Sequence, residues 1–155
     1  MALARITRGE LVAGVSGAVF LLVFFFAEWF GVPEASDAFA SSVPSLDGWA
    51  SFGFPFDLLL FLAGVAAVAQ ALLRATGSIP SGLPARPEQV VAAGGMLALL
   101  LVFLRLAFPP DLEVGGIEIP DTTRKVGVLL ALLAAGGMAL GGYWSLEERS
   151  SRRAR

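Results

Sequence analysis

The hydrophobic pattern divides the chain into four long apolar stretches, separated by segments that are polar or rich in glycine and proline. The stretches cover approximately residues 11–30, 54–73, 90–108 and 126–144. A helix needs roughly 20 apolar residues to cross a hydrocarbon core about 30 Å thick. Each stretch has about that length, so the pattern predicts an all-α membrane protein built as a bundle of four transmembrane helices.

The first stretch also has two features of a secretory signal. Arg5 and Arg8 precede it, and Ala38-Phe39-Ala40 resembles a cleavage site. The apolar region of such a signal normally has about 7–15 residues, and the cleavage site lies just beyond it. Here the apolar stretch is longer, and the tripeptide lies well past its end. We therefore interpret residues 11–30 as a membrane span.

Charged residues are few, and their distribution predicts an orientation. They make up 15% of the chain, against about 25% in soluble domains. The N-terminal segment, the connection between the second and third spans and the tail at 145–155 hold eight arginines and four glutamates. The two other loops hold seven acidic residues against Arg124 and Lys125. Because basic residues near short spans stay in the cytoplasm, we predict a multi-pass protein of the plasma (inner) membrane with both termini cytoplasmic.

The connecting loops differ in character. The inner loop at 75–87 contains five glycines and prolines, which is typical of a turn-rich connector. The outer loop at 31–53 is unusually apolar and includes Trp49 and Phe52, so we expect it to fold over the bundle. The outer loop at 109–123 has two alternating tripeptides around Gly115-Gly116, which predicts a short β-hairpin. Together the outer loops predict a small cap.

Composition also excludes several kinds of chemistry. The chain has no Cys and no His, whereas haem, iron–sulfur and zinc sites draw their ligands from these residues. A Ser-His-Asp or Cys-His arrangement is equally impossible. We therefore predict no catalytic residues, no cofactor and no metal site.

Small residues predict where the helices meet. Helices in lipid associate through close backbone contact, which glycines and alanines four residues apart on one face permit. The candidate packing glycines are Gly14 in the first span, Gly94 in the third, and Gly127, Gly137 and Gly141 in the fourth. The fourth span has the longest small-residue face and is expected to be the most tightly packed. Its Gly137 and Gly141 fit either packing within one chain or association of several copies.

Three ionisable residues fall inside the apolar stretches, namely Glu28, Asp57 and Arg105. Their positions predict one shared layer near the outer surface. Such residues cost roughly 2.5–3.5 kcal/mol each near the centre of a span, and they mark candidate functional sites. One interpretation is an ion-pair cluster, with Asp57 as the expected partner of Arg105. The other is an acidic outer vestibule with Arg105 as a gate or ligand anchor. Gln70 lies deep in the second span and is expected to form a hydrogen bond with a neighbouring helix.

Several short motifs carry a resemblance to a known group of proteins. They are Arg-Gly-Glu-Leu at 8–11, Trp-Phe at 29–30, Phe-Asp-Leu-Leu-Leu at 56–60, Phe-Leu-Arg-Leu at 103–106, Arg-Lys-Val-Gly at 124–127 and Gly-Gly-Tyr at 141–143. In these the chain resembles a family of small, uncharacterised four-helix membrane proteins of high-GC actinobacteria. The usual Pro-Trp-Phe of that family is Glu28-Trp29-Phe30 here. The resemblance implies an architecture and no activity.

Three classes of function fit these observations. The first is a non-enzymatic scaffold or accessory subunit of a membrane complex. The second is a homo-oligomeric channel or carrier with an acidic outer vestibule around Glu28, Asp57 and Arg105. A membrane enzyme comes last, because no nucleophile or metal site accompanies these three residues. The expected partners are membrane lipid and other membrane protein subunits or further copies of this chain, with no nucleic acid.

Overall fold

The computed structural model describes residues 6–31, 45–78, 86–114, 117–119 and 122–153. Its four long helices are α1 (Arg8–Phe26), α3 (Phe56–Thr76), α4 (Pro87–Ala107) and α5 (Val126–Arg153). All four contain a window long and apolar enough to cross a membrane, with a mean hydropathy between 1.8 and 2.3. The prediction of four membrane-length helices is therefore confirmed.

Helix α1 begins and ends with well-defined hydrogen bonds. At its start the side chain of Thr7 accepts from the backbone N–H of Glu10 at 3.2 Å, and the Thr7 N–H donates to the Glu10 carboxylate at 2.9 Å. This reciprocal capping box pairs two backbone N–H groups at the helix start. At the other end the backbone becomes extended at Ala27, whose N–H still donates to the Val23 carbonyl.

The first predicted span therefore ended too late. Residues 28–31 form strand β1 (Glu28–Gly31) instead of a last helical turn. Trp29 and Phe30 are fully buried, and the indole N–H of Trp29 donates to the carbonyl of Val23 at 3.1 Å. Trp29 is thus a core residue that packs beneath the end of α1.

Strand β1 is the middle strand of a small antiparallel sheet. Its neighbours are β2 (Leu46–Asp47) and β5 (Thr123–Arg124). The short helix α2 (Gly48–Phe52) follows β2 directly, and its first turn is capped by the Asp47 carboxylate, which accepts from the N–H of Ala50 at 2.7 Å. The sheet joins the end of α1 to the start of α5. We call this end of the bundle the sheet end.

The predicted hairpin lies in the connection between α4 and α5. Strands β3 (Leu112–Val114) and β4 (Ile117–Ile119) pair antiparallel, with Glu113 opposite Glu118. The Gly-Gly turn at 115–116 lies outside the described residues, as do residues 32–44 of the apolar first loop. In the described part of that loop, Leu46 and Phe52 pack against the core, as expected of a loop that covers the bundle.

The four long helices form a square in which neighbours run in opposite directions. Helix α1 packs against α3 and α5, and α4 packs against the same two helices. Half of the apolar window of α5 is buried, compared with 22% for α4. As expected from its small-residue face, α5 is the most buried of the four.

Glycines lie at several of these helix contacts. A Cβ atom added at Gly141 would lie 2.5 Å from the backbone nitrogen of Ala13 in α1. At Gly14, Gly127 and Gly137 the added atom would collide with Ala71, with the carbonyl of Glu28 and with Ser16, respectively.

Gly94 has more room than the other candidates, because its added Cβ would lie 3.4 Å from the Ala63 side chain. The neighbouring Gly95 makes the closer contact of α4, at 2.6 Å from the backbone nitrogen of Ala139. The most closely packed glycine of α4 is therefore Gly95, one residue after the predicted Gly94.

Candidate functional site

Four charged side chains meet at the end of the bundle opposite the sheet. Glu10 lies in the first turn of α1 and Glu88 in the first turn of α4, whereas Arg74 lies in the last turn of α3. Arg149 comes from the last part of α5. Because neighbouring helices are antiparallel, the starts of two helices and the ends of the other two lie at the same level. We call this end of the bundle the ionic end.

The four residues form a closed ring of alternating charge, which we call the ionic ring. Arg74 Nε lies 3.1 Å from Glu10 Oε1, and Arg74 Nη2 contacts Glu88 Oε1. Arg149 Nη2 lies 2.5 Å from Glu10 Oε1, and Arg149 Nε lies 2.9 Å from Glu88 Oε1. Each arginine therefore bridges both glutamates, and every one of the four long helices contributes one member.

The ring is buried to different degrees on its two sides. The side chains of Glu10 and Glu88 are 0% and 6% exposed, whereas those of Arg74 and Arg149 are 19% and 30% exposed. Buried carboxylates are tolerated only when charge and hydrogen bonds compensate them. Both glutamates have that compensation, and the second oxygen of Glu10 accepts from Thr7. The placement also suits the helix dipoles, since two acids lie at helix starts and Arg74 lies at a helix end.

Reasoning from the sequence missed this ring. Its members lie at the edges of the apolar stretches, where charged residues ordinarily set topology. Two signals were nevertheless present. Glu10 follows Thr7 by three residues, the spacing of a capping box, and acids and arginines alternate between successive helix ends at one level.

A cavity of about 300 Å³ opens beside the ring. Its lining includes the ring members Arg74, Glu88 and Arg149, together with Arg86, Leu146 and Ser150. The ring thus presents its arginine side to an open space, while Glu10 remains behind it.

Glu28 does not belong to an intramembrane cluster. It lies in strand β1 rather than in a helix, and its side chain is 58% exposed. Its carboxylate is 3.9 Å from the ammonium group of Lys125, which directly precedes α5. The prediction was wrong about the setting of this residue because the apolar sequence continues past the end of the helix into a buried strand.

Asp57 and Arg105 both lie at the sheet end, but the predicted ion pair between them is not formed. Neither carboxylate oxygen of Asp57 lies within 4.0 Å of a guanidinium nitrogen of Arg105 in the described residues. The guanidinium instead lies 5.7 Å from the centre of the Phe52 ring. Asp57 Oδ1 and Arg105 Nε are buried without a hydrogen-bond partner in that part of the chain.

Arg105 also borders a second cavity, of about 330 Å³, at the sheet end. The rest of its lining is apolar and consists of Phe52, Phe56, Leu101, Leu104 and Phe108. Gln70, in the middle of the bundle, is 4% exposed. Neither amide atom of Gln70 has a hydrogen-bond partner within the described ranges, so the expected bond to a neighbouring helix is not seen.

The ionic ring can do two things chemically. It ties the ends of four helices together, and it presents guanidinium groups to the cavity beside it. Within the described part of the chain, no three acidic side chains are grouped as a metal site would require. Comparison of the chain with protein-family models, curated proteins and solved structures finds no match.

Proposed function

We propose that this protein is a non-enzymatic scaffold or accessory subunit of a membrane complex. The observation that carries the proposal is the ionic ring, in which the charged groups at one end of the bundle are used to bind the four helices to one another. A body fixed in this way suits a role in assembly, where a rigid surface is presented to other membrane protein subunits or to further copies of the chain.

The interior of the bundle supports the same role. Phe20, Phe24 and Met138 are fully buried between the helices, and close glycine contacts hold α5 against α1. Interiors packed in this way have little room for a solute, because protein cores reach the density of organic crystals. The partners of such a subunit would bind to its outer faces, among lipid molecules.

A homo-oligomeric channel or carrier is the second candidate. It is favoured by Asp57 and Arg105 at the sheet end, where Asp57 Oδ1 and Arg105 Nε are buried and have no hydrogen-bond partner among the described residues. Glu28 would contribute less to such a pathway, because it lies beside Lys125. Any pathway of this kind would run between copies of the chain, since large buried side chains such as Phe20, Phe24 and Met138 occupy the centre of one copy.

Charge distribution supports placing the protein in the plasma (inner) membrane with both termini and the ionic ring on the cytoplasmic side. The resemblance to actinobacterial four-helix membrane proteins likewise stays a prediction, and it concerns architecture alone.

The test is the composition of the particle extracted from its native membrane in a mild detergent. We expect the chain to co-purify with another membrane protein at a fixed stoichiometry. A symmetric homo-oligomer that conducts ions in planar bilayers, with a conductance altered by Asp57→Asn, would instead establish the second candidate. A bare monomer under every extraction condition would contradict both.

A further inference from the structure

The arginines of the ionic ring keep unused hydrogen-bond donors. A guanidinium group has five N–H donors. Arg74 donates one hydrogen bond to Glu88 through Nη2, and Arg149 donates to Glu10 through Nε and Nη2. Within the described residues, Nη1 of neither arginine donates a hydrogen bond. The ring therefore leaves donor groups on two side chains that line the 300 Å³ cavity.

The cavity also carries an excess of positive charge. Arg74, Arg86 and Arg149 line it together with a single acid, Glu88. If Glu10 behind the ring is included, the three arginines are balanced by only two glutamates. Arg86 supplies the excess, because no carboxylate in the described part of the chain lies within 4.0 Å of it.

The position of the cavity adds a further attraction for anions. Its wall includes Pro87 and Glu88, the first two residues of α4. The start of a helix carries a partial positive charge, which favours a bound anion. The N–H groups contribute less here, because Pro87 has none and that of Gln89 already donates to the Arg86 carbonyl. The same level is the boundary of two apolar spans, since α3 ends at Thr76 and α4 begins at Pro87. In a bilayer this is the depth of lipid head groups.

We propose that this cavity binds a phosphate group, held by Arg86 and by the free guanidinium donors of Arg74 and Arg149. Arginine suits this ligand because its planar fork matches the phosphate oxygens. At about 300 Å³ the cavity lies at the small end of ligand sites, roughly 300–1,000 Å³. That size fits a head group or a small phosphate compound, with any acyl chains outside among the membrane lipids.

Two sources share this chemistry, an anionic phospholipid of the adjacent leaflet and a soluble phosphate. Basic pockets between transmembrane helices bind anionic head groups in other membrane proteins. A soluble phosphate would reach the same donors from the aqueous side.

The experiment uses the full chain, purified in a neutral detergent. Native mass spectrometry measures binding of phosphatidylglycerol, with diacylglycerol of the same acyl chains as the phosphate-free control. Thermal unfolding measures stabilisation by inorganic phosphate. The test variant is Arg86→Gln, which changes the cavity but leaves the ring intact. Its matched control is Arg8→Gln, because Arg8 is exposed at the same end and does not line the cavity.

We expect one phosphatidylglycerol per chain and weaker binding of diacylglycerol. Arg86→Gln should weaken phosphatidylglycerol binding about fivefold, the factor that corresponds to about 1 kcal/mol per arginine near an anionic surface. Arg8→Gln should leave it unchanged. Stabilisation by inorganic phosphate that Arg86→Gln abolishes, without a preference for phosphatidylglycerol, would support the site and assign it to a soluble ligand. Equal binding by the wild type and Arg86→Gln, or equal loss in both variants, would overturn the proposal.

Discussion

Arg149 donates from Nε and Nη2 to one carboxylate oxygen of Glu10, at 3.0 and 2.5 Å, although the two residues are 139 positions apart in the chain. The contact joins the first turn of α1 to the last part of α5. Since Glu10 is also in contact with Arg74 of α3, one buried carboxylate connects three of the four long helices. Glu88 joins α3, α4 and α5 in the same way, but Glu10 is the more deeply buried of the two and its second oxygen also accepts from Thr7.

Glu10→Gln should lower the free energy of unfolding by about 3 kcal/mol, at the lower end of the cost of breaking a buried ion pair. The lower end applies because both arginines are partly exposed. Gln retains an oxygen that can accept from Thr7, so the capping box survives and the loss reports on the ionic contacts. Unfolding in mixed micelles with increasing SDS gives the measurement.

The matched control is Glu147→Gln, the same change at an exposed position near the same end of the bundle. It should alter the free energy of unfolding by less than about 0.5 kcal/mol, as is usual for exposed substitutions. Equal effects of the two variants would mean that the ring contributes nothing to stability.

Gly141→Ala should destabilise the protein strongly, because the new Cβ would lie 2.5 Å from the Ala13 nitrogen and 2.8 Å from the Gly9 carbonyl oxygen. These are backbone atoms, so α1 and α5 would have to move apart. Gly136→Ala is the control on the same helix. Its nearest neighbour would be Leu99 at 3.9 Å, and Ala is favoured over Gly within helices by up to about 1 kcal/mol. Thermal unfolding should therefore show a lower Tm for the first variant and an unchanged or higher Tm for the second.

If the Gly141→Ala and Gly136→Ala variants were equally stable, that result would contradict the close contact between α1 and α5 at Gly141. Gly137→Ala offers an intermediate case. There the added atom would meet the Ser16 hydroxyl, which can rotate away, and would lie 2.9 Å from the Ser16 Cβ, which side-chain rotation does not move. We therefore expect a loss smaller than that of Gly141→Ala but larger than that of Gly136→Ala.

The parts of this fold that could be predicted from the sequence depend on residues that are close together along the chain. The four long helices follow from runs of apolar residues, and the hairpin follows from alternation around Gly115-Gly116. Strand β1 was missed because hydropathy does not distinguish a buried strand from the end of an apolar helix. The pattern therefore placed Glu28 inside a span, where the structure has an exposed residue beside Lys125.

The ionic ring depends instead on which faces of distant helices meet. Glu10 and Arg149 could be placed at the same level from the sequence, but their contact requires both helices to be rotated correctly. One residue changes the direction of a helical side chain by about 100°, which is the difference between Gly94 and the more closely packed Gly95. Asp57 and Arg105 were likewise placed at the same end of the bundle without their side-chain directions, and they do not form an ion pair within 4.0 Å in the described residues. Helix α2, expected only as a loop, brings Phe52 to the Arg105 guanidinium.

Single cysteines should report the orientation of the bundle, because the natural chain has none. Ser151 and Thr123 are exposed and lie towards opposite ends of α5. From the charge distribution we expect an impermeant thiol reagent to label Thr123→Cys in intact cells and Ser151→Cys only after permeabilisation. The reverse result would place the ionic ring on the outer side.

Asp57→Asn should change the free energy of unfolding by less than about 1 kcal/mol, in contrast to the same kind of change at Glu10. Asp57 is as buried as Glu88, at 5% exposure, but no ion pair within the described residues compensates its charge, and Oδ1 has no hydrogen-bond partner there. The amide relieves the desolvation of a buried charge, which is the largest influence on this group, and keeps an oxygen that can accept from the backbone at Gly53 and Phe52. It forfeits the attraction of an acid to Arg105 and to the first turn of α3, the latter about 0.3–1 kcal/mol. Unfolding in mixed micelles with increasing SDS gives the loss of unfolding free energy for Asp57→Asn, to be compared with that for Glu10→Gln. A loss near 3 kcal/mol would indicate that Asp57 has a close cationic partner after all, with Arg105 the first candidate.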